Sequence, residues 1–164
     1  MRAVTNAGPL IHLSWIGQMN LLPALFEEVL VPIAVRDEGL RAGHAGRGLQ
    51  PLREAFAADW LKVRQVKDAG AVATLRADLD LGESEAIALM REAEAELLLL
   101  DERRARAVAR GQGLPLTGTI GILRLAREQK LIPGIFPLLE ELRRYGFHIS
   151  ADIVEQIRRE EVAE

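Results

Sequence analysis

The stretch Leu97-Leu98-Leu99-Leu100-Asp101 decides the fold. Four large apolar residues are too few for a membrane span and are bounded by charge, so the run predicts a β-strand buried on both faces. Strands of this kind belong to parallel sheets that helices cover on each side. Ligands bind such open sheets outside the carboxyl ends of the strands. Because Asp101 follows the strand directly, we expect the chemistry of the protein to lie near it.

The composition fits one α/β domain and narrows the possible chemistry. The 164 residues, of which 49% are hydrophobic, suffice for a full core. The chain has no cysteine, which excludes disulfides, zinc–thiolate sites and cysteine nucleophiles. Its first residues lack the pattern of a signal peptide, so we expect a cytoplasmic protein without a membrane segment. The net charge of −3 gives no overall basic field, so binding of nucleic acid must depend on a local basic patch.

Strand-like and helix-like segments alternate along the chain. Besides the strand at 97–100, which we expect at the centre of the sheet, short strands are predicted at 3–6, 29–31, 61–66 and 114–117. Helices are predicted at 10–16, 21–26, 35–40, 49–56, 80–95, 103–112, 118–130, 135–145 and 151–161. Three glycines between residues 43 and 48 predict a mobile loop. The alternation indicates an α/β fold in which residues 1–164 form a single domain, with the C-terminal helices at about 134–161 packed on it or extending from it.

Four oxygen-bearing side chains stand where a predicted strand ends or a helix begins, namely Asn6, Glu38, Glu83 and Asp101. If the strands are parallel and adjacent, all four can converge on one cleft. Simpler interpretations exist for each side chain. Asn6 can make a turn or a cap, and Asp101 can be the N-cap of the next helix.

The alternatives extend to neighbouring acids. Glu38 follows Asp37, and either can simply be solvated. Glu102 can equally be the acid that points inward beside the buried strand. Glu85 can replace Glu83 as the ligand, although it lies off the apolar face of its helix.

Glu83 lies on the apolar face of the helix predicted at 80–95, one turn before Ile87. A carboxylate on a face that packs against the core is costly unless it is paired or binds a metal. The alternative is a capping box, in which Asp80 caps the helix and Glu83 stands three residues later.

Clustered oxygen ligands without cysteine or paired histidine suit Mg²⁺ or Mn²⁺. Such ions polarise phosphoryl oxygens and activate water, which is the chemistry of phosphodiester hydrolysis. His12, His44 and His148 are scattered along the sequence, and we expect them to be structural or surface residues.

Arg103, Arg106 and Arg110 share one face of the helix that follows Asp101. This face is either merely solvated or a track for the phosphate backbone of a nucleic acid that leads into the acidic cleft.

Several segments together resemble the PIN-domain family, the ribonuclease fold of VapC-type toxins, and in particular its branch of predicted nucleic-acid-binding proteins. The matching segments are 4–11, 31–32 with Glu38, Gly-Glu-Ser-Glu-Ala-Ile-Ala-Leu at 82–89, 98–106, Thr-Gly-Thr-Ile-Gly at 117–121, and 137–142 with 146–147. They are spread over nearly the whole chain.

The resemblance implies a three-layer α/β/α fold with a mainly parallel central sheet. It implies an Mg²⁺ or Mn²⁺ site that cleaves single-stranded RNA and is formed by Asn6, Glu38, Glu83 and Asp101, with Thr117 at the rim. It also implies a homodimer, and a small antitoxin protein as partner if the chain is a toxin.

One departure from the family pattern concerns the first acid, which is normally Asp and is Asn6 here. A neutral amide oxygen in place of a carboxylate weakens metal binding. Two functions therefore stay open, a metal-dependent endoribonuclease weakened by Asn6, or a PIN-fold protein for RNA binding or other interactions that has lost turnover.

Overall fold

In the computed structural model, which describes residues 1–44 and 49–163, five parallel strands form one sheet. The strands are β1 (Arg2–Thr5), β2 (Glu28–Pro32), β3 (Leu61–Arg64), β4 (Leu97–Leu99) and β5 (Leu116–Thr117). Their order across the sheet is β3-β2-β1-β4-β5, and each neighbouring pair is parallel.

The run at 97–100 is an interior strand, but it is not the centre of the sheet. β4 lies between β1 and β5, with Val4 opposite Leu98 and Leu98 opposite Leu116. The central strand is β1, in which Ala3, Val4 and Thr5 are all fully buried. The strand at 97–100 stood out in the sequence because it is all leucine. β1 has fewer and smaller apolar side chains, although it is equally buried.

Helices cover both faces of the sheet. Within the described residues they are α1 (Ala7–Trp15), α2 (Leu21–Leu25), α3 (Ile33–His44), α4 (Leu49–Ala57), α5 (Ala69–Leu75), α6 (Leu81–Glu92), α7 (Arg103–Gly111), α8 (Thr119–Glu128), α9 (Phe136–Arg144) and α10 (Ala151–Val162). The glycine-rich loop predicted at 43–48 begins inside α3, and its residues 45–48 lie outside the described part of the chain.

Helix α5 was not predicted from the sequence, because its seven residues are mostly small and show no long apolar stripe. Its N-terminus is capped by the carboxylate of Asp68, which accepts a hydrogen bond from the backbone N–H of Ala71 at 3.0 Å. Leu75 at its end is buried in the core that α6 covers. A short helix of this kind depends on tertiary packing rather than on its own propensity.

Two apolar cores lie on opposite faces of the sheet because neighbouring strand residues point in opposite directions. Ala3 and Leu99 pack with α1, α2, α8 and α9 on one face, and Ile157 of α10 belongs to this core. Val4, Leu98 and the following Leu100 pack with α6 and α7 on the other. The predicted three-layer α/β/α architecture is confirmed, with a sheet that is parallel throughout the described residues.

The parallel topology brings distant segments to one edge of the sheet. Asn6 follows β1, Thr117 ends β5, and the backbone N–H of Asn6 donates to the carbonyl oxygen of Leu99 at 2.9 Å. α6 precedes β4 and returns against the strand direction, so it begins at the carboxyl edge, as does α3 after β2.

In residues 1–44 and 49–163, every helix is too short or too polar to cross a membrane.

Candidate active site

A cleft of about 870 Å³ opens at the carboxyl edge of the sheet. Asn6, Glu38, Glu83 and Asp101 all line it, and Thr117 does so at the end of β5. The cleft is far larger than the space of a single water, which takes about 30 Å³ in the liquid. It therefore has room for a hydrated ion and a sizeable part of a substrate.

Asn6 presents an unpartnered oxygen to this cleft. Its side chain is 7% exposed, and Oδ1 has no hydrogen-bond partner within the described structure. Asn6 occupies the N-cap position of α1, but its side chain makes no capping hydrogen bond. A buried acceptor without a partner is costly, which points to a ligand that satisfies it.

The first turn of α6 brings Asn6 and Glu38 together across Gly82. A Cβ atom built on Gly82 would lie 2.8 Å from Glu38 Oε2 and 3.5 Å from Asn6 Oδ1. The missing side chain of Gly82 therefore leaves the space in which these two oxygens converge. Asp37, the neighbouring acid on α3, instead accepts a hydrogen bond from Arg36 at 3.1 Å.

Glu83 takes part in a capping box and also lines the cleft. Its backbone N–H donates to Asp80 Oδ1 at 2.8 Å, and its carboxylate accepts a longer hydrogen bond, 3.3 Å, from the backbone N–H of Asp80. The capping-box interpretation of Glu83 is thus confirmed, and the same residue lines the cleft. Glu85 points elsewhere, since its carboxylate accepts from the backbone N–H of Ala34 at the start of α3.

Burial and the charge of Asp80 act on both acids of this cluster. Burial first, and then the negative charge of Asp80, raise the pKa of Glu83 to about 7. The same two causes raise the pKa of Glu38 above its ordinary value. Carboxylates that are unfavourable as anions in a cleft are stabilised by a bound cation.

Asp101 is held by donors on three sides. The backbone N–H of Thr119 donates to Oδ1 at 2.7 Å, and its hydroxyl donates to Oδ2 at 2.5 Å. His12 Nδ1 lies 2.7 Å from Oδ2. Burial alone would raise the pKa of Asp101, but the hydrogen bonds from His12 and Thr119 outweigh it and lower that pKa.

Asp101 is not the N-cap of α7, which removes the simplest alternative for it. That cap is Glu102, whose carboxylate accepts from the backbone N–H of Arg104 at 3.2 Å. Glu102 also lines the cleft, but it is exposed.

His12 lines the cleft and contacts Asp101, a place in the site that sequence reasoning missed. Its ring lies between Trp15 and Phe147, with ring centroids 5.1 and 4.7 Å away, while Nδ1 meets Asp101. No local signal could have revealed this contact, because Asp101 is 89 residues away in the sequence.

Comparison with known proteins places the chain in a family. Residues 2–162 match the family model described as DUF3368, PIN domain. The chain belongs to the PIN-domain family. No curated protein matches the sequence of this PIN domain.

Two solved structures share the fold of this PIN domain. A PilT N-terminus domain protein from the archaeon Sulfolobus solfataricus P2 aligns with a TM-score of 0.53 and 17% identity, over 77% of this chain and 93% of its own. VapC20 of Mycobacterium tuberculosis, a toxin that cleaves the sarcin–ricin loop, aligns with a TM-score of 0.51 and 12% identity, over 64% of this chain and 94% of its own. Both structures therefore show the same fold as this chain, the PIN fold that the family model also gives.

The oxygen atoms that line the cleft of this PIN domain suit a divalent ion only in part. Among the described residues, no three Asp, Glu or His side chains converge closely enough to hold an ion by themselves. The Glu38 carboxylate does meet the orphaned amide oxygen of Asn6 around Gly82, and Glu83 lines the same cleft. These all-oxygen donors fit Mg²⁺ or Mn²⁺, which keep several waters as ligands.

Asp101 fits an ion less directly. A carboxylate has about four acceptor positions, and three are engaged by Thr119 and His12. The remaining one can accept from a water or face an ion.

Only one of the three predicted arginines reaches the cleft. Arg106 lines it and donates from Nη1 to the carbonyl oxygen of Leu100 at 2.7 Å. Arg103 and Arg110 are exposed on the same helix and are not among the residues that line the cleft. Arg124 of α8 and His148 line it from the other side.

Proposed function

We propose that this PIN domain is an Mg²⁺- or Mn²⁺-dependent ribonuclease that cleaves single-stranded RNA. The observation that carries the proposal is the buried, unpartnered Oδ1 of Asn6, which meets Glu38 at Gly82 beside a carboxylate of raised pKa, Glu83. An orphaned acceptor and two destabilised anions in one cleft support a binding site for a cation.

Asn6, Glu38 and Glu83 would hold the ion. When bound, such an ion polarises a phosphoryl oxygen and lowers the pKa of a coordinated water. Asp101, kept ionised and fixed in orientation by Thr119 and His12, faces the same cleft and adds negative charge to it. Arg106 is placed to contact the phosphate backbone inside the cleft, with Arg103 and Arg110 outside it on the same helix.

A second candidate is an RNA-binding PIN protein without turnover, and Asn6 is the observation that favours it. A neutral amide attracts a divalent ion less than a carboxylate does, and the loss matters most in a partly buried site where charges are poorly screened. The two candidates differ in whether RNA bound in the cleft is cleaved.

The deciding experiment compares cleavage of one single-stranded RNA by the wild type, Asn6→Asp and Asp101→Asn, with Mn²⁺ or Mg²⁺ and with a chelator. We expect weak cleavage by the wild type, more by Asn6→Asp, and none by Asp101→Asn or after chelation. Asp37→Asn is the matched control, because Asp37 is an acid on α3 that does not line the cleft.

The outcomes separate the candidates. RNA binding without cleavage by either the wild type or Asn6→Asp would establish the binding protein instead. Cleavage that survives chelation would contradict a metal-dependent mechanism. The homodimer and the antitoxin partner stay predictions, which the mass of the purified protein and co-purification with the product of a neighbouring reading frame would test.

A further inference from the structure

Part of the cleft wall has a different chemistry from that of the acids. Every acidic residue that lines the cleft belongs to the part of the chain up to Glu102. A second part of the wall comes from α8, the segment 146–148 and α10, and it contributes no carboxylate. Its polar members are cationic or neutral, and they stand beside apolar side chains: Ile120, Arg124, Phe147, His148, Ile153 and Gln156.

Three of these side chains give this wall an apolar surface. Ile153 on the first turn of α10 is 39% exposed, one of the few large apolar side chains that the described structure leaves open to solvent. Phe147 and Ile120 are half-buried, and both also pack against the core. Ion binding and hydrolysis make no use of such a surface, so the proposed function does not account for it.

The polar groups around this apolar surface are fixed by a short network. Gln156 Nε2 donates to Glu160 Oε1 at 3.1 Å, and Arg124 Nη1 donates to Glu160 Oε2 at 2.8 Å. Glu160 thus orients the amide of Gln156 and holds Arg124 at the edge of the cleft. The Gln156 carbonyl oxygen is left as an acceptor beside Ile153, three residues earlier on the same helix.

We propose that Ile120, Phe147 and Ile153 form a subsite for one unstacked nucleobase of the RNA, with Gln156 at the edge of the base. This inference rests on the proposed function, because it takes the RNA backbone to pass between the acids and Arg124. A nucleobase offers an apolar face and a hydrogen-bonding edge, which is the combination that this wall matches. Double-stranded RNA keeps its base faces stacked inside the helix, so the subsite selects single strands.

The test measures equilibrium binding of fluorescent RNA pentanucleotides in a chelating buffer, so that no cleavage occurs. One pentanucleotide is complete, and each of the others lacks the base at a single position. We expect loss of one particular base to weaken binding by the wild type on the order of tenfold, the usual effect of losing one base contact of this kind.

Ile153→Ala should weaken binding of the complete RNA by a similar factor and should make the same base dispensable, because the two changes remove one shared contact. Ile153→Phe, which offers a larger flat face, should bind more tightly than Ile153→Ala. Val162→Ala is the control, since Val162 is 76% exposed on the same helix and does not line the cleft.

Equal affinities of Ile153→Ala and Val162→Ala, or equal binding of the complete and all the base-lacking RNAs, would overturn the subsite. Binding that depends on Ile153 without any cleavage in Mn²⁺ would refute turnover and leave the base subsite standing. Failure of the wild type to bind RNA at all would overturn both proposals.

Discussion

Asn6 and Asp101 line the same cleft but have opposite roles, because the residues around each of them differ. Asn6 Oδ1 is buried without a partner, whereas Asp101 accepts three hydrogen bonds from Thr119 and His12. The first is an acceptor that needs a ligand, and the second is an anion that the protein itself stabilises. The difference separates the part of the cleft that we propose to hold the ion from the part that carries fixed charge.

Glu83→Gln should stabilise the metal-free protein at pH 8. The pKa of Glu83 is raised from 4.5 to about 7, so the folded state keeps a proton that the unfolded state loses between those values. This contribution to the free energy of unfolding is fully present below the unfolded pKa and is lost as the pH rises to about 7. In thermal unfolding, the melting temperature of the variant should be several degrees higher than that of the wild type at pH 8 and equal to it near pH 4.

Mn²⁺ provides the control for this prediction, because a ligand that binds the folded state raises the melting temperature. It should raise that of the wild type at pH 8 more than that of Glu83→Gln. Identical pH profiles for the two proteins would contradict the raised pKa.

Thr119→Val should lower the free energy of unfolding at neutral pH but not in acid. The valine keeps the volume and the backbone N–H donor but removes the hydroxyl that donates to Asp101. Hydrogen bonds to charged groups contribute about 1.5–3 kcal/mol, so we expect a loss of about that size at pH 7. The pKa of Asp101 is lowered in the folded state, so this stability is present above the unfolded pKa and is lost as the pH falls through the lowered value.

Urea unfolding at pH 7 and in acid measures this difference in the free energy of unfolding. Thr117→Val is the matched control, since the hydrogen bonds to Asp101 come from Thr119 and not from Thr117. A deficit in Thr119→Val that persists unchanged in acid would show that it arises from packing alone.

At the scale of elements, the cleft is shaped where the first turns of helices come close to the ends of strands. Gly82 opens α6 at the point where Asn6 and Glu38 meet, and a Cβ on Gly118 would lie 2.6 Å from Asp101 Oδ1. A Cβ on Gly121 would overlap Thr117 Oγ1. The glycines of the Gly-Glu and Gly-Thr-x-Gly segments, on which the family resemblance rests, thus also allow other side chains to approach the backbone closely.

Gly82→Ala should separate metal binding from folding. The added Cβ meets the flexible end of Glu38, which can move away, and alanine favours a helix by about 1 kcal/mol over glycine. We therefore expect an unchanged or raised melting temperature together with weaker Mn²⁺ binding by calorimetry. Gly70→Ala on α5 is the control, since its nearest neighbour is Asp68, away from the cleft. Unaltered Mn²⁺ affinity in Gly82→Ala would place the ion elsewhere.

The sequence predicted the elements whose pattern is local and strong. The leucine run of β4, the alternation of β3 and the glycine-opened α8 were all recognisable, because each has its own apolar period or turn residue. The helix α5 was missed because packing on α6, rather than its own pattern, stabilises it. His12 was missed because its partner is brought to it only by the tertiary fold. Asn6 was recognised by position, but that its oxygen lacks a partner is a property of packing.

At the scale of the whole molecule, charge is distributed unevenly although the net charge is only −3. Glu38, Asp80 and Glu83 stand on one side of the cleft, and Arg106 and Arg124 line it elsewhere. A polyanion is attracted to the arginines and repelled by the carboxylates. Binding of RNA should therefore be salt-dependent, with a slope set by few phosphate contacts.

Replacing Arg103, Arg106 and Arg110 with glutamine, singly and together, should reveal which of them contact phosphate. For single strands, each phosphate contact contributes about 0.7 to the slope of log affinity against log salt, so the triple variant can lose at most about 2. Because Arg106 is the one of these three arginines that lines the cleft, we expect its replacement to account for most of that loss. Arg53→Gln on the exposed face of α4 is the control, since Arg53 does not line the cleft. Fluorescence anisotropy of labelled RNA between about 50 and 200 mM salt gives the slopes. Slopes that fall equally for the Arg103, Arg106 and Arg110 variants would mean that the RNA follows the outer face of α7, and an unchanged slope in the triple variant would leave that face merely solvated.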